Sequence, residues 1–251
     1  MQAPSYALAT TGCALQEWLT PDWRHLVLAS EFMVALGTEA AADLMDRLTL
    51  RVLLAGSLLF TAGDDGDRLY IVLEGRLQVF RSDDHERARM LEILGPGAVV
   101  GELSMFGATA RTATSAALSH AKVAELEYPA VKRVLRDHPE ANLRILGHMA
   151  ERLRKANEII ADHALLNVRS RVLKAVVELA PRFGRVVDEG IIVEHGLSQE
   201  DLARYVGSSR EMVNRALSDL QNRGIVVVRP RSLILTRRRQ VATQDRQTGL
   251  H

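Results

Sequence analysis

Cysteine is almost missing from this chain: Cys13 is the only one in 251 residues. One thiol excludes an internal disulfide framework, a multi-cysteine zinc site and a four-cysteine iron–sulfur cluster within one chain. No apolar run approaches the roughly 18 residues that a membrane helix needs. The first positive charge is Arg24, so the expectation is a cytosolic chain without the basic start of a secretory signal. Catalytic signatures are missing too. There is no Gly-x-Ser-x-Gly elbow, no His-Glu-x-x-His pair and no phosphate-binding P-loop. An enzyme is therefore not expected.

What is present describes a globular protein. Hydrophobic residues make up 47% and charged residues 25%, which rules out wholesale disorder. The length is best matched by two domains. The net charge of +1 hides an uneven distribution. From Val168 onward there are 15 Lys+Arg against 9 Asp+Glu, while the preceding residues carry 17 against 22. An acidic front and a basic back point to nucleic acid at the basic end.

Residues 1–30 read as an extension containing Trp18 and Trp23. Between about Glu31 and Glu127, short apolar runs alternate with turn formers. Examples are Leu69-Tyr70-Ile71-Val72-Leu73 before Gly75, and Leu91-Glu92-Ile93-Leu94 before Gly95. Strands broken every ~8–12 residues by turns indicate an all-β sandwich or barrel. A helical period begins at Pro129, and His138-Pro139 separates two helices. The second, from Glu140 to about Asn167, has apolar positions at Leu146, Met149, Leu153, Ala156, Ile160 and Ala164. That spacing is a seam for another helix, and the helix is too long for the β domain to cover, so a parallel homodimer is expected, with packing on its own β domain as the alternative. The chain closes with Ile225-Val226-Val227-Val228, the basic turn Arg229-Pro230-Arg231-Ser232, Leu233-Ile234-Leu235 and a tail bearing Arg237-Arg238-Arg239.

The segment from Leu197 to Leu220 has the pattern of a helix-turn-helix. Ser198 is a good N-cap, followed by the acids Glu200 and Asp201. Leu202, Ala203 and Val206 form one apolar face, and Gly207 permits the left-handed turn. A second helix opens at Ser208 or Ser209, with Met212, Val213, Ala216, Leu217 and Leu220 inward. Its outer face carries Arg210, Glu211, Asn214, Arg215 and Ser218. Arg pairs with guanine through two bonds, and Glu accepts from the cytosine amino group. As an alternative, Glu211 and Arg215 form a surface pair one helical turn apart.

The run Gly207-Ser208-Ser209-Arg210-Glu211-Met212-Val213-Asn214-Arg215 closely resembles the recognition helix of the cyclic-AMP receptor branch of the Crp/Fnr family. A second run, Gly101-Glu102-Leu103-Ser104-Met105-Phe106-Gly107-Ala108-Thr109-Ala110-Arg111-Thr112-Ala113, resembles the phosphate-binding cassette of cyclic-nucleotide domains. The resemblance extends over roughly Glu31 to Leu235. It implies an α+β fold with a jelly-roll-like cyclic-nucleotide-binding β-roll (31–138), a dimerisation helix (139–167) and a winged helix-turn-helix (168–251). Backbone N–H groups at Gly101, with Leu103 and Ser104 in the same loop, suit an anion. Arg111 would fork the phosphate, Thr112 would donate to it, and Glu102 would accept from the ribose 2′-hydroxyl. Val79 and Leu91 would wall the pocket.

The resemblance further implies that Arg210, Glu211 and Arg215 read a TGTGA-like half-site while Ser198 and Ser209 touch phosphates. The family's Thr-Ser pair at the adenine is replaced by Ala156 and Asn157. Cyclic AMP is the first effector expected and cyclic GMP the second, with no metal. A cyclic dinucleotide, a haem-bound gas at His85 or His120, or no ligand are the alternatives. The partners implied are double-stranded DNA, a second copy of the chain and RNA polymerase, with no membrane.

Overall fold

The computed structural model describes residues 23–82, 88–107 and 110–237. Trp18, Cys13, His85 and the tail from Arg238 lie outside that set. The chain divides into two compact units. One holds the described residues up to Leu166 with Ala203–Gly207; the other holds Asn167–Leu202 and the segment from Ser208.

Three short helices open the first unit: α1 (Trp23–Leu28), α2 (Glu31–Leu36) and α3 (Thr38–Met45). The buried Ser30 hydroxyl accepts from the Met33 amide and caps α2. Then come β1 (Thr49–Leu53), β2 (Leu58–Phe60), β3 (Arg68–Glu74), β4 (Leu77–Ser82), β5 (Ala88–Leu94), β6 (Val99–Val100), α4 (Leu103–Phe106), β7 (Thr114–Ala117) and β8 (Ala121–Glu127). The strands make two four-stranded antiparallel sheets, β1-β8-β3-β6 and β2-β7-β4-β5. This is the expected β-roll.

Strand β3 explains its own continuous apolar run. Successive side chains point to opposite faces. Leu69, Ile71 and Leu73 enter a core beneath the helices, while Tyr70 and Val72 enter the core between the sheets. Both faces are buried, so no polar alternation survives. Helix α1 contributes to the first core through fully buried Val27 and half-buried Trp23. The end of the extension read as residues 1–30 is therefore part of the sensor core.

Helix α5 (Tyr128–Asp137) and the 27-residue α6 (Pro139–Leu165) each carry proline in the first turn, where no N–H is needed. Ala141 and Ile145 of α6 are buried in the first core, and Met149 packs half-buried against it. Met149 thus leaves the seam to which its spacing assigned it: from Ile145 it is one turn on, along the inward stripe. The outward stripe is Leu143, Leu146, Leu153 and Ile160, all well exposed in the single chain, and Ala156 is exposed beside it.

The remaining elements are α7 (Val168–Phe183), β9 (Gly184–Val187), β10 (Gly190–Val193), α8 (Gln199–Val206), α9 (Arg210–Asn222), β11 (Val226–Arg229) and β12 (Ser232–Thr236). The four strands form one antiparallel sheet in the order β11-β12-β10-β9. Asn167 caps α7, its side-chain oxygen accepting from the Ser170 amide at 3.0 Å. The wing closes with Arg229 opposite Ser232, so its tip is Pro230-Arg231, with Arg231 at φ 55°. Hairpin β9–β10 was not anticipated, although Asp188-Glu189-Gly190 between two β-branched runs is a turn signal. Among the described residues, no helix is long and apolar enough to cross a membrane.

Candidate nucleotide pocket and DNA-reading helix

The cassette begins where β6 ends. Gly101 has φ 89°, and a Cβ there would stand 2.5 Å from Arg111 Nη1. Glycine is needed both for the backbone and for the approach of that guanidinium. Glu102 follows at 2% exposure, and Arg111, from the loop leading into β7, is 4% exposed. The two residues named as ribose and phosphate partners are therefore both buried in the roll. Arg111 Nη1 donates to Gly101 O at 2.9 Å and to the Tyr128 hydroxyl at 2.8 Å, and Nη2 donates to Arg68 O at 2.8 Å. Its Nε is buried without a hydrogen-bond partner.

Aromatic rings grip the same guanidinium. Its carbon lies 4.3 Å from the Phe60 ring centre, 5.7 Å from Tyr70 and 5.8 Å from Tyr128. Asp67 is 4.0 Å from Arg111 Nη2, and its carboxyl is held below the usual range chiefly by the hydrogen bond from Arg68. Burial pushes the Tyr128 phenol up, so it stays protonated and able to donate. That hydroxyl donates in turn to Gly101 O.

Glu102 cannot be buried as an isolated charge without a cost of several kcal/mol. Arg152 of α6 supplies the partner, Nη1 to Glu102 Oε1. Sequence reading missed Arg152. Its signal was available: it lies one helical turn before Ala156, on the face assigned to the base. Arg152 Nη2 also lies 3.9 Å from Glu92 Oε2.

The other cassette residues are dispersed. Ser104 is buried and donates to Ala110 O at 3.2 Å. Leu103 is partly exposed and Thr112 is exposed. On α6, Ala156 and Asn157 are both exposed. Val79 does pack against the roll interior, but Leu91 does not. A bulge pairs Val79 with Glu92 and Phe80 with Met90, so Leu91 is the extra residue and faces out. His120, offered as a haem ligand, is exposed.

The helix-turn-helix is built as its sequence dictates. Ser198 Oγ accepts from the Asp201 amide at 3.1 Å, and Asp201 Oδ2 accepts from the Ser198 amide at 3.3 Å, a reciprocal cap on α8. Gly207 makes the turn at φ 69°. Ser209 caps α9 by accepting from the Met212 amide at 3.3 Å. Val213, Ala216, Leu217 and Leu220 are buried, whereas Met212 is exposed, contrary to the inward position its spacing gave it.

Arg210, Glu211, Arg215 and Ser218 are exposed together on the outer side. Asn214 is half-buried, its Oδ1 lacking a hydrogen-bond partner. The Glu211 carboxyl is lowered, first by a backbone hydrogen bond at its own position and then by Ser209, with help from Arg210 and Arg215. It remains an ionised acceptor. Across the unit, Arg169 Nη1 meets Asp219 Oδ2 at 2.9 Å and ties α7 to α9.

A β-roll carrying buried Glu102 and Arg111, followed in the chain by a winged helix-turn-helix, defines the class of two-domain DNA-binding regulators. Comparison with known proteins gives the same division. Residues 50–138 match the cyclic nucleotide-binding domain and residues 170–242 the Crp-like helix-turn-helix domain. The CRP-like cAMP-activated global transcriptional regulator of Mycobacterium tuberculosis strain H37Rv is 34% identical over 191 residues, covering 76% of this chain and 85% of that protein. A cAMP-activated global transcriptional regulator of Pseudomonas aeruginosa is 28% identical, covering 72% and 86%. Among solved structures, a CRP-family transcriptional regulator from Thermus thermophilus is 26% identical with a TM-score of 0.62, covering 74% and 92%. The c-di-GMP responsive global regulator of Xanthomonas campestris shares the fold at 24% identity and TM-score 0.67, covering 79% and 98%. The chain belongs to the Crp/Fnr family of transcription regulators. It is a DNA-binding regulator with a cyclic-nucleotide-binding domain, and not an enzyme.

Proposed function

We propose that this regulator binds a cyclic purine nucleotide in its roll and uses it to control recognition of a palindromic, TGTGA-like operator. Cyclic AMP is the first candidate, because the relatives at 34% and 28% identity are named as cAMP-activated, and cyclic GMP is the second. The observation that carries this reading is the burial of both Glu102 and Arg111, with Arg111 bonded to the carbonyl of Gly101, the residue before Glu102. The phosphate is held by Arg111, by backbone N–H groups from Gly101 to Ser104 and by the Thr112 hydroxyl. The ribose 2′-hydroxyl donates to Glu102. Ala156 and Asn157 flank the base.

The exposed stripe Leu146, Leu153, Ile160, with Ala156 beside it, supports a homodimer. Arg210, Glu211 and Arg215 read bases, with Asn214 beside them; Ser198 and Ser209 contact phosphates. The setting is the cytoplasm, with RNA polymerase as the protein partner. Arg111→Leu tests the pocket: nucleotide affinity measured by calorimetry should fall roughly 100-fold or more, since the phosphate would have no charged donor in an apolar surrounding. Wild-type affinity in that variant would refute the assignment.

A further inference from the structure

The anchors of the proposed pocket dictate where a bound base must lie, and this inference rests on that reading. The phosphate of a 3′,5′-cyclic nucleotide sits on Arg111 and the 2′-hydroxyl on Glu102. The base leaves C1′, the carbon next to C2′, on the side away from the phosphate. Arg152 bridges Glu102 to Glu92, and the base is placed on that side of the ribose anchor.

Glu92 faces this space because of the strand register. Leu77 pairs with Leu94 and Val79 with Glu92. Leu77 and Leu94 are in the inter-sheet core and Val79 packs on it. The period of two then turns Glu92 to the same inner face, at the rim, with 36% of its side chain exposed. No irregularity lies between Leu94 and Glu92, so this direction follows directly from the pairing. One turn beyond Arg152 on α6 stands Ala156, a methyl group with nothing to offer a hydrogen bond.

A carboxylate only accepts, through two oxygens. Guanine presents N1–H and the 2-amino group side by side, two donors for two oxygens. Adenine presents its 6-amino donor beside the N1 lone pair, so one carboxylate oxygen is satisfied and the other is set against an acceptor. We propose that Glu92 is the base-reading residue and tilts the pocket toward guanine, making cyclic GMP its preferred ligand. The relatives' names place cyclic AMP first; Glu92 reverses that order for this chain.

The test is calorimetry of the full chain, wild type, Glu92→Gln and Glu92→Ala, each with cyclic AMP and cyclic GMP. Wild type should favour cyclic GMP. In both variants cyclic GMP should weaken at least ~10-fold while cyclic AMP changes less than ~3-fold, the scale for removing a paired donor–acceptor interaction at a polar site. A role limited to balancing Arg152 would move both nucleotides in parallel, because Arg152 and Glu102 meet the ribose and not the base. The inference is overturned if the cyclic AMP to cyclic GMP ratio is unmoved in both variants, or if wild type favours cyclic AMP. Absence of binding of either nucleotide to wild type would overturn the pocket reading itself.

Discussion

Ser115 is fully buried in β7, opposite Phe60 and Val79, and its hydroxyl has no hydrogen-bond partner. An unpaired buried hydroxyl costs more than its removal. Ser115→Ala should therefore raise the unfolding free energy by about 1 kcal/mol, seen as a higher urea midpoint at constant slope. A lower midpoint would mean that the hydroxyl has a partner that stabilises the fold. Glu125 shows the opposite solution on the neighbouring sheet: it is buried, but Arg68 donates to it at 2.9 Å and Arg51 lies 3.7 Å away. At this scale the sequence singled out Glu102 and Arg111 by their resemblance to the cyclic-nucleotide cassette, and both are buried in the roll. It did not disclose Arg152, which meets Glu102 from 50 residues away. Nor did it disclose Glu92, whose direction is set by its pairing with Val79 across the sheet. Tertiary pairing and register are not local properties, so periodicity could not supply them.

The elements were more legible than the contacts between them. The β-roll, the proline-started α5 and α6, the turn at Gly207 and the wing all follow from apolar periods and turn chemistry. The sorting of α6 faces did not: its two apolar stripes overlap in sequence, and only the core beneath the helices shows that Met149 belongs inward and Leu153 outward. The junction of α5 and α6 carries a pH-dependent tie. His138 Nε2 meets Asp43 Oδ2 of α3 at 2.9 Å, and Glu140 lies 3.7 Å from Nδ1. The hydrogen bond to Asp43 raises the His138 pKa above its ordinary 6.5, aided by Glu140 and Glu39. A histidine with a raised folded-state pKa contributes stability that is full below the unfolded value and is lost as pH rises through the folded one. Asp43→Asn should thus lower Tm most between about pH 5 and 6.5, and the two proteins should converge at alkaline pH. Thermal melts across pH check this, and a gap that widened with rising pH would contradict it.

At the scale of the whole molecule, the proposed nucleotide site and α9 belong to separate compact units. On the proposed reading, a nucleotide can act only by binding one arrangement of the proposed dimer better than another. A typical coupling of ~1–3 kcal/mol would tighten operator binding ~5- to 150-fold, and operator DNA must tighten nucleotide binding by the same factor. The two α9 helices of a dimer call for half-sites about one helical turn, ~34 Å, apart. (The catabolite activator, a relative of this chain, is a type case of that geometry.) Three variants separate the parts. Arg210→Ala should cost ~1–3 kcal/mol at one base position and leave nucleotide affinity intact. Leu153→Glu, placing like charges against each other in the α6 seam, should convert the dimer to monomer in sedimentation and weaken operator binding with or without nucleotide. Asn157→Ala should reduce the nucleotide's effect more than basal DNA binding, because Asn157 continues the Leu146, Leu153, Ile160 stripe and is one of the two residues proposed to flank the base. All comparisons require one salt concentration, since every phosphate neutralised by the protein changes the salt slope as well as the affinity. Equal operator affinity with and without both cyclic nucleotides would show that DNA binding in this chain is constitutive, and would leave the buried Glu102–Arg111 cassette without a regulatory role.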